Sequence, residues 1–325
     1  MIVIQLAGGL GNQMFQYALC LQLKSLGKDV KIDDVAGFEQ DAKRDPVLGL
    51  FGISYERASK KELRKMLDSS PFIWHKVRRR LFGRKKKAYF EEDKRYHPEI
   101  MSWDDIYLEG YWQTEKYFES ISDHVKQVFD MDRLLENAAK NHSAGDGVIN
   151  AEKMSAEYWM ARIASTESVG VHIRRGDYLL PENQDLFGGI CTASYYREAM
   201  EQMQHEHSDC RFYLFTNDKQ WVQEQIAAEK HADTENSENT DTVWIDNIEV
   251  VDLGQQNDYA EFVLMSKCKH QIMANSSFSW WASYLNRNPG KTVLAPDRWL
   301  NGWDCRDIYR KDMQRVTATK GISTT

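Results

Sequence analysis

Ile2-Val3-Ile4-Gln5-Leu6-Ala7-Gly8-Gly9-Leu10-Gly11-Asn12-Gln13 opens the chain and sets its architecture. Ile2 to Leu6 reads as a strand and Ala7 to Gln13 as a glycine-rich turn. Met14 to Leu26 has helical spacing, with Phe15, Ala18, Leu19, Leu21, Leu23 and Leu26 on one apolar face and Gly27 as a stop. Val30 to Ile32 reads as a second strand. Strand, turn, helix and strand in that order begin a Rossmann-like unit. Asp33 and Asp34 close the second strand, where nucleotide-binding units often keep an acid for a ribose.

The alternation resumes downstream. Val169–Ile173, Arg211–Phe215, Gln271–Ala274 and Thr292–Ala295 read as strands, the last of these ending the series. Ala193–His205, Lys219–Lys230, Asp258–Lys267 and Phe278–Leu285 read as helices. Residues 56–70 and 116–135 look helical, and Tyr107–Gln113 reads as a strand running into a loop. Leu179–Gly189 and Thr234–Asp241 read as loops; Val243–Ile245 and Glu249–Val251 as short extended pieces. Residues 136–150 are polar and turn-rich. The expected organisation is therefore α/β, with two Rossmann-like domains at 1–150 and 151–325. The 325 residues suit two cores of ordinary size.

Composition narrows the partners. A net charge of −7 argues against a general nucleic-acid binder. No apolar run approaches the roughly 20 residues that span a bilayer, and the N-terminus has no signal-peptide pattern. Cys20, Cys191, Cys210, Cys268 and Cys305 are odd in number and scattered, which fits reduced thiols in a cytosolic protein and no metal set. Asn141-His142-Ser143 matches a glycosylation pattern that has no use there. Residues 71–87 carry eight Lys/Arg and no acid, so the remainder of the chain bears −15. Phe72, Ile73, Trp74, Val77, Leu81 and Phe82 are interleaved with them. Two readings stay open for 72–87: a solvated helix face, or adhesion to an anionic membrane surface.

Four segments fall at strand ends: Gly8–Gln13, His172-Ile173-Arg174-Arg175-Gly176-Asp177-Tyr178, Thr216-Asn217-Asp218, and Asn275-Ser276-Ser277-Phe278-Ser279. Ligands of open α/β sheets bind beyond the carboxyl ends of the strands. Paired arginines there offer forked donors to phosphate oxygens. The plainer reading is an ion pair between Arg174 or Arg175 and Asp177. Ser276 or Ser277 can cap the following helix, and the same helix N-terminus can hold an anion. Together these segments favour a diphosphate site.

The segments Gly8–Ala18, His172–Tyr178 and Ala274-Asn275-Ser276-Ser277-Phe278-Ser279-Trp280-Trp281 resemble the bacterial α-1,2-fucosyltransferases of glycosyltransferase family eleven. Leu264–His270 fits as well, and the order is kept over nearly the whole chain. The resemblance implies a GT-B-like fold with two Rossmann-like domains facing a cleft. The first domain would lie on the acceptor side and the second would bind GDP-fucose, with the C-terminal tail packing back on the first. It implies inverting transfer of L-fucose to the 2-hydroxyl of a terminal galactoside, with no cofactor and no metal. The setting would be surface-polysaccharide synthesis in the cytoplasm, including the inner face of the membrane.

Carried over by position, Arg174 holds the β-phosphate, flanked by His172 and Arg175. Ser276, Ser277 and Phe278, with Asn275, form a second arm on the diphosphate, and Asn217 and Asp218 join the donor site. Gly9, Gly11, Asn12 and Gln13 form the opposite wall. Glu261 stands where the family more often has Asp, against guanine. Charge growing on the β-phosphate would be stabilised by guanidiniums and a helix N-terminus. A base must take the acceptor proton: Asp177, which could instead orient Arg174 or Arg175, or Glu182. Trp112, Tyr111, Trp280 and Trp281 are candidate sugar-stacking rings, although the last two lie inside a helix and read more readily as core. Two other classes remain: a nicotinamide-dependent oxidoreductase, opposed by Gly-Gly-x-Gly in place of G-x-G-x-x-G, and a non-catalytic glycan- or membrane-binding protein.

Overall fold

The computed structural model describes residues 1–317 apart from 40, 42–43, 70–71, 83–85, 143–154, 236–245 and 254–257. The polar tract at 143–150, the loop at 236–241 and the extended piece at 243–245 lie outside the described residues. The chain divides into two compact units: Met1–Asp130 with Arg306–Ile308, and Met131–Cys305 with Tyr309–Thr325.

The first unit contains β1 (Ile2–Ala7), α1 (Leu10–Ser25), β2 (Val30–Gly37), α2 (Lys60–Met66), α3 (Ile73–Phe82), β3 (Ala88–Phe90), β4 (Ile106–Glu109) and α4 (Ser122–Val128). Its four strands are all parallel, in the order β2-β1-β4-β3. β1 is central, and Ile2, Val3, Ile4 and Leu6 are wholly buried. α1 lies against it with Met14, Phe15, Ala18, Leu19 and Leu23 inside. The glycine-rich turn therefore hangs at the carboxyl end of the central strand, as the sequence indicates.

β2 runs on to Gly37, so Asp33 and Asp34 lie inside the strand and do not end it, and both serve the fold. Asp33 Oδ1 accepts the amides of Val35 and Ala36, and its Oδ2 accepts the Tyr107 hydroxyl at 2.9 Å. Asp34 Oδ2 is held by Tyr55 and by Arg57 at 2.7 Å. Both carboxylates are thus committed to bonds that hold the unit together.

The second unit contains α5 (Met131–His142), α6 (Ala156–Ala164), β5 (Glu167–Ile173), α7 (Pro181–Phe187), α8 (Ala193–Glu206), β6 (Cys210–Thr216), α9 (Lys219–Glu235), β7 (Ile248–Val250), α10 (Asp258–Lys267), β8 (His270–Ile272), α11 (Ser277–Leu285), β9 (Val293–Pro296) and β10 (Met313–Val316). Six parallel strands run in the order β10-β9-β8-β5-β6-β7. β5 carries Val169, Val171 and Ile173 into a core shared with Tyr195, Ala199, Met203, Phe212 and Leu214.

Several boundaries differ from the sequence reading for identifiable reasons. The helix expected over 116–135 is broken at Phe129, which turns inward against Phe51 with ring centroids 5.2 Å apart. Beyond the break, α5 buries Met131, Leu134 and Ala138 and packs on α10, so the units change at Asp130/Met131 rather than near 150. Arg306–Ile308 belongs to the first unit. The segment 179–189 is not a loop: Pro181 starts α7, as proline at the first helical position permits. Thr292–Ala295 is not the last strand either. β10 follows it as an edge strand with Gln314 and Arg315 exposed, and it shows no apolar run.

Candidate active site

Parallel register builds the site in the second unit. Ile173 pairs with Thr216 across β5 and β6, and Val171 pairs with Ile272 across β5 and β8. The residues just past these strands are Arg174–Arg175, Asn217–Asp218 and Met273–Ser276. They emerge side by side at the carboxyl edge of the sheet.

The two arginines have different surroundings. Arg174 Nη2 lies 2.8 Å from Asp177 Oδ1, with the guanidinium 5.8 Å from the Tyr178 ring. Arg175 pairs through Nε with Asp218 at 3.1 Å, and its Cζ lies over the Trp221 ring, 3.9 Å from the centroid. Its amide donates to Asn217 Oδ1 at 3.0 Å. The plainer reading therefore holds for Arg174 and Asp177, while Arg175 takes Asp218 as its partner. A guanidinium has five donors, so the ion pair with Asp177 leaves Arg174 able to meet an anion. Asn217 approaches so closely that a Cβ at Gly176 would lie 2.3 Å from its Nδ2, and Gly176 has φ +20°. Asn217 and Asp218 thus shape the arginine loop.

His172 is the penultimate residue of β5 and is buried. Its Nδ1 has no hydrogen-bond partner among the described residues, and its ring centroid lies 5.3 Å from that of Phe278. Burial, reinforced by the Arg174 charge, pushes its pKa down to about 3, so the imidazole is neutral at pH 7. A buried nitrogen with no partner is costly unless a ligand meets it.

Phe278 belongs to the first turn of α11, which Ser276 caps by accepting the Phe278 amide at 3.3 Å. No acid occupies that first turn, so the positive end of the helix is uncompensated. Ser277 is half-exposed beside it. Asn275 is buried and engaged in structure: its Nδ2 donates to the Trp299 carbonyl at 3.1 Å, and its Oδ1 accepts from Cys191 Sγ. Its side chain thus braces the turn that precedes α11. Its backbone carbonyl accepts the Tyr178 hydroxyl at 3.0 Å, which ties the arginine loop to the α11 turn.

Glu261 sits in the first turn of α10 with its side chain 14% exposed. Burial pushes its pKa up to about 7 against the opposing pull of Lys219, 3.8 Å away. Lys219 follows Asp218 directly, so this carboxyl adjoins the β6 edge of the site. Glu182 is in a different situation. It is exposed on the first turn of α7, with no bond to the site among the described residues. An acid there favours the helix itself.

In the first unit, Gly8 has φ +75°, and a Cβ there would stand 2.6 Å from Asn12 Nδ2. Gly9 precedes α1, and a Cβ there would meet no described residue beyond its chain neighbours within 4 Å. Gly11 is buried in the first turn of α1. Asn12 Oδ1 accepts from Gln113 at 2.8 Å. Gln13 is engaged within the protein. It is fully buried, its Nε2 donates to the carbonyls of Gly8 and Asp45, and its Oε1 accepts the Val47 amide. Trp112 is also fully buried, beside Tyr89 and Tyr117, so it cannot stack on a sugar. Tyr111 stays half-exposed. Trp280 and Trp281 are core.

The sequence reading did not single out Trp221 and Lys219. Asp218 Oδ1 caps α9 by accepting the Trp221 amide at 3.1 Å. An acid at a helix start with an aromatic three residues on was the available signal. At the opposite edge of the sheet, Glu167, His207 and His270 bring ligand-type atoms within 4.8 Å of one another. His270 Nδ1 accepts the Thr292 amide, so Nε2 carries the ring proton and donates to Glu167 at 2.8 Å. A cation there would have to strip imidazole of its last proton beside Lys269, which lies 2.6 Å from Glu167. The cluster is a hydrogen-bonded brace.

Residues 84–313 match glycosyl transferase family 11. The O-antigen biosynthesis glycosyltransferase WbnK of Escherichia coli is 28% identical over 91% of this chain and 94% of its own length. An alpha-1,2-colitosyltransferase of Escherichia coli is 26% identical over 93% and 95%. Galactoside alpha-(1,2)-fucosyltransferase 1 of Saimiri boliviensis boliviensis is 32% identical over 48% of this chain and 38% of that one. Among solved structures, Escherichia coli ADP-heptose lps heptosyltransferase II matches with TM-score 0.42 at 10% identity, covering 97% of this chain and 90% of that one. A form of Arabidopsis thaliana FUT1 in complex with GDP matches with TM-score 0.41 at 11% identity, covering 90% and 69%. With the match to the family spanning most of the sequence, the chain belongs to glycosyl transferase family 11.

Proposed function

We propose that this glycosyltransferase moves L-fucose from GDP-fucose to the 2-hydroxyl of a terminal galactoside, with inversion and without a metal ion. The observation that carries this reading is the convergence of Arg174, the uncompensated N-terminus of α11 and the unpartnered His172 Nδ1 at one sheet edge. Such a set suits a leaving diphosphate. As the bond from the anomeric carbon to the β-phosphate oxygen breaks, charge grows on that phosphate, and preorganised donors stabilise it without a cation. Glu261 would accept from the guanine N1–H and amino group. Asp177, paired with Arg174, is the acid within the arginine motif. It would take the acceptor proton or, acting only as a positioning residue, hold Arg174 in place. The reaction would take place in the cytoplasm, and its product would be a fucosylated surface polysaccharide.

A second reading keeps the linkage and changes the sugar. It is favoured by the colitosyltransferase relative, whose identity is close to that of WbnK. The test is transfer from GDP-fucose to lactose and to a β-1,3-galactoside with EDTA present, with the product linkage read by NMR. An α-1,2 product supports donor, linkage and metal independence together. GDP binding without product transfers the case to another sugar or acceptor. No GDP binding overturns the donor reading.

A further inference from the structure

Helix α3 presents its apolar side to solvent. Trp74 is 81% exposed, Leu81 68% and Val77 47%, with Phe72 just ahead of the helix at 70%. At about 100° per residue, Trp74, Val77 and Leu81 fall within about 60° of one another and form a continuous stripe. On the same geometry, Arg78 lies about 40° to one side of that stripe and Arg80 about 60° to the other. Lys76, Arg80, Lys86 and Lys87 are exposed as well. Arg78 pairs with Asp68, which ties the helix to the end of α2. An amphipathic helix in a globular unit normally buries its apolar stripe. Large aromatic and aliphatic side chains left in water beside a cluster of cations mark a surface built for contact.

We infer that α3 docks this enzyme on an anionic lipid bilayer. Charge selects that occupant. Residues 71–87 hold eight basic side chains and no acid, in a chain whose remainder bears −15. An anionic surface attracts this segment and repels the rest of the molecule, so it also orients the enzyme. Trp74 and Phe72 have the amphipathic or wedge-like shape that settles among headgroups, and Leu81 and Val77 follow them. A second copy of the chain would bring the same cations face to face, which disfavours a symmetric α3–α3 pairing.

The test is co-sedimentation of the full chain with vesicles of phosphatidylcholine alone and of phosphatidylcholine with 30 mol% phosphatidylglycerol, at low and high salt. We expect binding to the anionic vesicles only, lost as salt rises. Lys76→Ala with Arg80→Ala weakens it about thirtyfold. Trp74→Ser with Leu81→Ser abolishes it, and GDP binding stays unchanged in both variants. Equal binding to neutral vesicles, or binding that survives Trp74→Ser with Leu81→Ser, overturns the inference. So does a concentration-dependent dimer, without vesicles, that the same pair of substitutions dissolves. None of these readouts depends on which sugar is transferred.

Discussion

Arg174 and Arg175 are neighbours in sequence, yet their head groups have different tasks. Arg174 is paired with one carboxylate, whereas Arg175 is fixed by Asp218 and roofed by Trp221. Arg174→Ala should therefore lower transfer by roughly 10²–10³-fold, as loss of one preorganised donor does, with an unchanged melting temperature. Arg175→Ala should also cost about 1 kcal/mol of stability, since a part-exposed ion pair and a cation–π contact go together. Steady-state kinetics beside thermal melts separate the two; equal losses of stability would refute the distinction. Glu261 gives a pH dependence. Its pKa of about 7 means that the free enzyme is part-protonated near neutrality, whereas a guanine partner needs the carboxylate. GDP affinity measured by calorimetry should rise from pH 6 to pH 8, and Glu261→Gln should flatten that rise. An equally steep rise in the variant would exclude Glu261 as its source.

At the scale of elements, the loop between β5 and α7 depends on one close approach. Gly176→Ala would set a methyl group against Asn217 at a backbone angle that side chains rarely adopt. Activity should fall at least tenfold through displaced arginines, while the sheet below keeps its far-ultraviolet circular dichroism. A fully active variant would show that the loop tolerates the shift. The same scale separates what the sequence discloses from what it conceals. β1, α1 and β5 were legible because strands buried on both faces and a long apolar helix behind a glycine turn stand out in the sequence. The residues past β5 and β8 were legible as a site because polar and cationic residues follow buried strands. Asp33 and Trp112 misled because a polar or aromatic residue near a strand end looks the same in sequence whether it faces a ligand or holds the fold together. Only the hydrogen-bond partners distinguish the cases. β10 and α7 were hidden for another reason: each is short and exposed, and so carries little apolar pattern.

Across the whole molecule, acid should act on the second unit through its buried imidazoles. His172 is kept neutral, with its pKa pushed down from 6.5 to about 3, and burial lowers that of His270. The unfolded chain therefore takes up protons first as pH falls below about 6.5. Stability is full above that value and declines toward about 3, by on the order of a few kcal/mol. Urea unfolding at pH 7 and pH 5 should show a lower midpoint at pH 5 with an unchanged slope, and identical midpoints would refute the account. Glu167, whose pKa is lowered by His270 and Lys269, loses its contribution in the same direction at lower pH.

The strand order also bears on how the chain is made. In the second unit, β5 comes first; β6 and β7 add outward on one side, then β8, β9 and β10 outward on the other. Each strand leaving the ribosome meets a parallel partner already in place, and none must wedge between two that have paired. The first unit breaks that rule once. β3 has only β4 as its neighbour, and β4 comes later in the chain. During synthesis β3 must therefore wait unpaired, with α3 just behind it. The basic residues around it, which repel their like, guard that nascent edge against joining a neighbouring chain.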